Sequence, residues 1–223
     1  MHSAGIEVRQ IAARADDDRP TVLQALRLDP AAVRLRVRYQ PERPQTLAEW
    51  FAAGDALAMI NGGFFGPDYT TSALVISDGV AAGETYAGFG GMLRIEADST
   101  VGMQLLRDAP FDAASVPVQA IQSFPVLVFA GGIAAELDPG PRARRSAVAL
   151  DRQGRVLLLV CGRSSFSLPV FARWLTTSDL AIERALNLDG GSSTGMYLAG
   201  GPLRVAVDSF GPLPIVLAIE ARA

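Results

Sequence analysis

Val33, Leu35, Val37 and Tyr39 alternate with Arg34, Arg36 and Arg38. A period of two fits a strand with one apolar face on a core and one cationic face toward solvent. The Arg stripe reads as a solvated sheet face, with an anionic polymer as the alternative occupant. Most of the remaining chain repeats the theme of short apolar runs closed by turn residues. Gly5 to Ala12 and Thr21 to Leu28 are strand candidates on either side of an exposed turn at Asp16-Asp17-Asp18. Ala56 to Ile60 reads as a buried strand. Ala73 to Ser77 runs into Asp78-Gly79, and the runs Arg145 to Leu150 and Arg155 to Val160 enclose Asp151-Arg152-Gln153-Gly154. Both are hairpin signals. Gly90 to Glu96, Val116 to Gln122 and Val126 to Phe129 add further strands, and segments near 196–198, 203–207 and 215–220 close the set.

Helical signals are fewer. Thr46-Leu47-Ala48-Glu49 is a capping-box pattern, predicting a short helix over 46–53 that stops at Gly54. Ser167 is placed to cap a helix carrying Val170, Phe171, Trp174 and Leu175 on one face. Thr177 to Ala185 offers another, with Asp179 near its positive end. Asp138 to Arg144 holds two Pro and a Gly and reads as an exposed loop, Arg142 and Arg144 included. These elements predict an α+β class: one domain over residues 1–223, with a large mixed or antiparallel sheet and a few helices. N-terminal strands occupy 1–45 and the motif-bearing core 57–197.

Composition narrows the chemistry. No apolar run among the 223 residues reaches the length of a membrane span. A formal charge of −3 leaves no electrostatic footprint for nucleic acid. All 20 basic residues are Arg, which removes a phosphate-loop Lys and Schiff-base chemistry. His2 and Cys161 are the sole His and Cys, so neither a Cys/His zinc site nor an internal disulfide can form. Cys161 follows an apolar run and reads as a core thiol. Gly191-Ser192-Ser193-Thr194-Gly195 fits the G-x-S-x-G nucleophile elbow, but a Ser nucleophile needs a base and the chain offers only His2 at its end. The match is therefore rejected. Carboxylates, hydroxyls, amides, Arg and backbone remain.

Leu186-Asn187-Leu188-Asp189-Gly190-Gly191-Ser192-Ser193-Thr194 concentrates them. An apolar run ends in an acid beside two glycines, which permit close approach of backbone to a ligand. Successive free amides in such a turn form an anion-binding concavity. Asn61-Gly62-Gly63-Phe64-Phe65 repeats that design after another buried run.

These two blocks and Arg145-Ser146-Ala147-Val148-Ala149-Leu150, in that order and spacing, resemble the phosphodiester glycosidase family. Leu74 to Gly79 and Gln122-Ser123-Phe124-Pro125-Val126-Leu127 add smaller echoes, so the resemblance spans about Leu57 to Tyr197. Phe124 stands where the family often has Gly, and Ala143-Arg144 where many members have His-Pro. The resemblance implies an α+β fold and hydrolysis of the bond between a sugar and a phosphate oxygen, in polysaccharide or cell-envelope glycan metabolism. Many bacterial relatives are labelled exopolysaccharide-related. It implies a small-molecule or oligosaccharide phosphodiester substrate and no required cofactor, although a bound Ca²⁺ or Mg²⁺ is compatible.

Asp189 is then the base for water or the nucleophile at the anomeric carbon. Arg145 binds phosphate or pairs with a structural acid. Gly62, Gly63, Gly190 and Gly191 present amides; Asn61, Ser123, Ser192, Ser193 and Thr194 hydrogen-bond sugar or phosphate. Asn61 alternatively caps a turn, and the three hydroxyls alternatively satisfy turn amides. Phe64 or Phe65 offers a sugar platform, or joins the core. Glu84 and Asp68 are possible second carboxylates that read more simply as loop residues. Two rival functions remain: a polysaccharide-binding protein without turnover, and a metal-dependent phosphoesterase using Asn61 and Asp189 as oxygen ligands. No basic segment followed by an apolar one opens the chain, so a periplasmic or secreted protein would have a leader absent from this sequence; a cytoplasmic site is the alternative.

Overall fold

The computed structural model describes residues 5–200 and 204–222. Its strands form three antiparallel sheets around one shared core. The largest has seven strands in the order Ile6–Arg14, Pro20–Leu28, Val156–Phe166, Ala143–Asp151, Ile182–Asn187, Val126–Phe129, Ile133–Ala134. The second has five: Val205–Val207, Met196–Leu198, Ala58–Asn61, Ile215–Ala221, Val33–Tyr39. The third also has five: Val80–Ala82, Val75–Ser77, Gln119–Ser123, Gly91–Ile95, Val101–Leu105.

The apolar runs are continuous because central strands are covered on both faces. In Val156–Phe166, Val156, Leu158 and Val160 point into the core between the sheets. Leu157, Leu159 and Cys161 face the other way, onto Phe166, Phe171 and Leu175 of the helix side. Ile215, Leu217 and Ile219 enter the same central core, while Val216 and Ala218 pack under Leu47 and Trp50. The predicted alternation of Val33, Leu35 and Val37 is seen, all three buried. The cationic face carries ion pairs, Arg36 with Asp78 and Arg38 with Glu220.

The α+β expectation is corrected. The protein is mostly β, with three antiparallel sheets in place of one large one and only two α-helices among the described residues, Leu47–Ala52 and Leu168–Thr177. The capping box is formed: Thr46 accepts from the Glu49 amide, and the Glu49 carboxylate accepts from the Thr46 amide at 2.8 Å. Ser167 takes the N-cap position of the second helix without a side-chain cap bond; its own amide donates to Asp16.

Thr177 to Ala185 is not a helix. The chain leaves the helix at Ser178, turns through Ala181 at φ 56°, and enters the strand Ile182–Asn187. That strand lies between Ala143–Asp151 and Val126–Phe129, so ladder bonds on both edges override local helical spacing. Asp179 instead bonds Arg9 across the surface at 2.8 Å. The exposed loop expected to Arg144 ends earlier: Arg142 is exposed, Ala143 begins a strand, and Arg144 is buried. Of the closing strands, residue 203 and the expected frayed end at His2 lie outside the described residues.

Candidate functional site

Four distant segments meet where the strand Ile182–Asn187 ends. The Asp189 amide donates to the Gly62 carbonyl at 3.1 Å, and the Leu188 amide to the Ser146 carbonyl at 3.0 Å. The Asn187 amide bonds Pro125, and its side chain donates to the Phe124 carbonyl at 2.9 Å. Gly63 completes the junction: a Cβ there would stand 2.8 Å from the Gln122 carbonyl, so only glycine lets the strands approach so closely. A Cβ on Gly62 would likewise come within 2.9 Å of Ile215 Cβ and 3.0 Å of its carbonyl.

Asn61 holds this junction together. It is fully buried. Nδ2 donates to the Asp189 carbonyl at 2.7 Å and the Gly62 carbonyl at 3.3 Å. Oδ1 accepts from Ser146 Oγ at 2.7 Å and the Gly195 amide at 3.1 Å. Its two donors and two lone pairs are spent on protein. Three of its four partners lie on other segments, so Asn61 is a clip between them, with no donor or lone pair left for sugar, phosphate or metal. The Gly62 amide is also committed, to the Ile215 carbonyl at 3.0 Å.

Asp189 is neither sealed nor free. It is half-buried, with its Oδ1 accepting from the Gly190 amide at 2.9 Å and the Ser193 side chain also bonded to it. Burial pushes its pKa above the ordinary carboxylate value, and those two bonds pull part of the way back. Gly191–Ser193 form one turn of 3₁₀ helix behind the acid. Ser192 is exposed, Ser193 nearly buried and Thr194 fully buried.

Arg145 lies on the next strand. Nε donates to the Phe166 carbonyl at 2.9 Å and Nη2 to the Pro141 carbonyl at 2.7 Å, leaving Nη1 facing Gly190, 3.9 Å from where its Cβ would be. Its alternative structural role is thus through carbonyls, with no acid in the pairing. Burial lowers its pKa. Arg144 faces a bulge: from Ala143 to Arg145 the partner strand runs from Phe166 to Cys161, so the extra residues lie within 162–165 of Val156–Phe166. Bulges redirect side chains beside active sites.

An aromatic cluster flanks the acid. Phe64 lies 4.7 Å from Phe124 between ring centroids, and Tyr86 and Phe89 meet Phe124 edge-on. Phe64 and Phe65 are half-buried, while Glu84 and Asp68 are exposed loop residues. The Gln122 side chain holds the Tyr86 loop by accepting from the Tyr86 amide at 2.9 Å and donating to Thr85 Oγ1 at 2.8 Å.

Eight buried side-chain N and O atoms have no protein partner among the described residues. Six of them sit on these converging segments: Tyr86 OH, Ser123 Oγ, Arg144 Nε and Nη1, Asn187 Oδ1 and Thr194 Oγ1. Buried polar atoms are ordinarily bonded, so their concentration here marks a place built for something else. Among the described residues no three His, Cys, Asp or Glu side chains gather as a metal site.

Sequence reasoning did not select Tyr86, Phe89, Arg144, Asn187 or Phe210. Asn187 stood inside a chosen block, and Phe124 was marked only as a departure from the family pattern. Arg144 stands out in the sequence only as part of the departure from His-Pro; its burial leaves no trace there, because the bulge it faces is on the partner strand.

A half-buried carboxylate at a strand end, on a loop whose Gly190 lies against Arg144 and Arg145, is equipment that a carbohydrate-active hydrolase can use. Residues 54–219 match the phosphodiester glycosidase family, and the chain belongs to that family of hydrolases. The fold is similar to the catalytic domain of zebrafish N-acetylglucosamine-1-phosphodiester α-N-acetylglucosaminidase, auto-inhibited by its pro-peptide: TM-score 0.76, 19% identity, 99% of this chain and 85% of that one. A hypothetical protein from Synechocystis gives a TM-score of 0.65 at 16% identity, over 98% of this chain and 62% of that one. A Burkholderia pseudomallei K96243 protein labelled as exported gives 0.62 at 13%, over 90% and 74%. No curated protein matches the chain.

Proposed function

We propose that the protein hydrolyses the bond between an anomeric carbon and a phosphate oxygen in a sugar phosphodiester, in polysaccharide or cell-envelope glycan metabolism. The observation that carries this reading is Asp189, the one carboxylate in the blocks around Asn61, Arg145 and Asp189, half-buried on a loop whose Gly190 lies against Arg145. Ordinary glycosidases use two carboxylates, one to protonate the leaving oxygen. A phosphate monoester is a weak base with a second pKa of about 6, so it departs as an anion once its charge is held. Guanidinium and N–H donors then take the place of the general acid.

Asp189 acts at the anomeric carbon as nucleophile or as base for water. Its raised pKa makes it a better proton acceptor than a free carboxylate. The free Nη1 of Arg145 holds a phosphate oxygen, and Ser192, Ser193 and the Gly190-Gly191 turn bond substrate hydroxyls. Phe64 and Phe124 give the sugar ring an apolar wall. No helix among the described residues is long and apolar enough to cross a membrane.

Hydrolysis in ¹⁸O-labelled water tests the bond assignment. Label in the sugar product is expected. Label in the phosphate would mean P–O cleavage, the metal-dependent phosphoesterase reading, and would overturn the proposal. Sugar binding without hydrolysis would favour the binding-protein reading.

A further inference from the structure

Arg144 is buried, with a relative exposure of 5%. It donates once, from Nη2 to the Asp208 carbonyl at 2.7 Å. Nε and Nη1 have no partner among the described residues. None of the ion pairs among the described residues includes it. The Asp208 carboxylate acts on it only at a distance and forms no ion pair with it; its Oδ1 accepts from the Ala48 and Ser209 amides at 2.9 Å each. A buried cation without an ion-pair partner is costly, and its unmade donors call for a ligand that satisfies them.

What covers the group is the ring of Phe210, its centroid 3.9 Å from the guanidinium carbon. That ring is itself 77% exposed, so little holds it in place from outside. The cover is tied to the acid's loop, because the Phe210 amide donates to the Ser192 carbonyl at 2.7 Å. Arg144 is joined to the same loop from below: a Cβ on Gly190 would stand 3.0 Å from the Arg144 carbonyl. The unpartnered donors, the Asp189 loop and the cover are thus one assembly.

We propose that Arg144 is an oxyanion subsite that takes the substrate's phosphoryl oxygens through Nε and Nη1, and that Phe210 is its movable cover. Arg145 has already spent two donors on carbonyls and has one nitrogen left to offer; Arg144 has two. The pair, adjacent in sequence and set by the bulge, grips an anion that a single arginine would hold loosely. The assignment deepens the phosphodiester reading and rests on it for the identity of the substrate; capture of an oxyanion does not depend on turnover.

Inorganic phosphate is the probe, titrated by calorimetry into the wild type, Arg144→Met, Arg144→Lys and Phe210→Ala. Phosphate is expected to bind the wild type, to weaken at least ten-fold in Arg144→Met, and to recover in part in Arg144→Lys. Phe210→Ala binds phosphate at least as tightly as the wild type, because the cover is gone. Phosphate also raises the melting temperature of the wild type and not that of Arg144→Met. No phosphate binding by the wild type, or equal affinity in Arg144→Met, overturns the proposal. Should Arg144→Met fail to fold, unchanged affinity in Arg144→Lys together with weaker binding in Phe210→Ala also overturns it. Phosphate binding that depends on Arg144, with no sugar released from any phosphodiester, would end the reaction reading and leave the subsite standing.

Discussion

Replacing Asn61 with Ala removes the clip that joins three segments of the site. Ser146 Oγ and the Gly195 amide lose the acceptor they share, and the Asp189 carbonyl loses a donor at 2.7 Å. Asn61 and Ser146 are both 0% exposed, so water does not reach the orphaned groups without opening the structure. Each buried donor or acceptor left unmade costs about 1–3 kcal/mol. Three such groups give about 3–9 kcal/mol, a large part of the roughly 5–15 kcal/mol that holds a domain folded. At about 2–4 °C per kcal/mol for a chain of this size, the melting temperature should fall by about 6 °C or more. Thermal and urea unfolding measure the loss, and turnover is read well below the lowered midpoint. A loosened Asp189 loop should lower kcat while KM moves less. A loss under about 1 kcal/mol, or a rise in KM alone, would refute the reasoning, because the second result is that of a residue touching substrate.

Asp189→Asn should hold or raise stability at pH 7. Its folded pKa is raised by burial, so the ionised form is penalised in the folded state. That penalty is absent below the unfolded value of about 3.9 and complete above the folded value, so melting curves of the two proteins should converge as pH falls through this window. The same shift places the acid limb of wild-type kcat/KM above the ordinary carboxylate range; a limb at the ordinary value would count against Asp189 as the titrating group. Gly62→Ala should destabilise strongly, since the new Cβ meets the Ile215 side chain and carbonyl; native-like melting would show the junction to be looser than drawn. Phe124→Ala removes one ring of the cluster with Phe64, Tyr86 and Phe89 and should raise KM for the sugar substrate with little change in kcat, measured by steady-state kinetics.

Much of this molecule was legible where local pattern and tertiary environment agree. The alternating Val33 to Tyr39, the capping box at Thr46 and the hairpin around Asp151 each carry their own signal, and each forms at its expected place. Thr177 to Ala185 misled because its spacing suits a helix in isolation, while ladders with two neighbouring strands decide the outcome. The α+β expectation failed for a related reason. Central strands here are apolar on both faces, a pattern shared by buried helices, and the sequence does not say that one sheet becomes three. At the site, the blocks around Asn61, Arg145 and Asp189 were visible as glycine and polar residues after apolar runs, and they do meet. What each side chain does there was not visible. The saturation of Asn61 depends on Ser146 and Gly195, distant in sequence, and the burial of Arg144 on a bulge and on Phe210.

Sugar release from a sugar phosphodiester by wild type and by Asp189→Asn tests the central claim most directly. The substitution keeps the side chain's shape and its bond from the Gly190 amide while removing the charge, so both proteins should fold alike. The account predicts measurable turnover by the wild type and a loss of at least a thousand-fold in Asp189→Asn. Equal release by both proteins would contradict it.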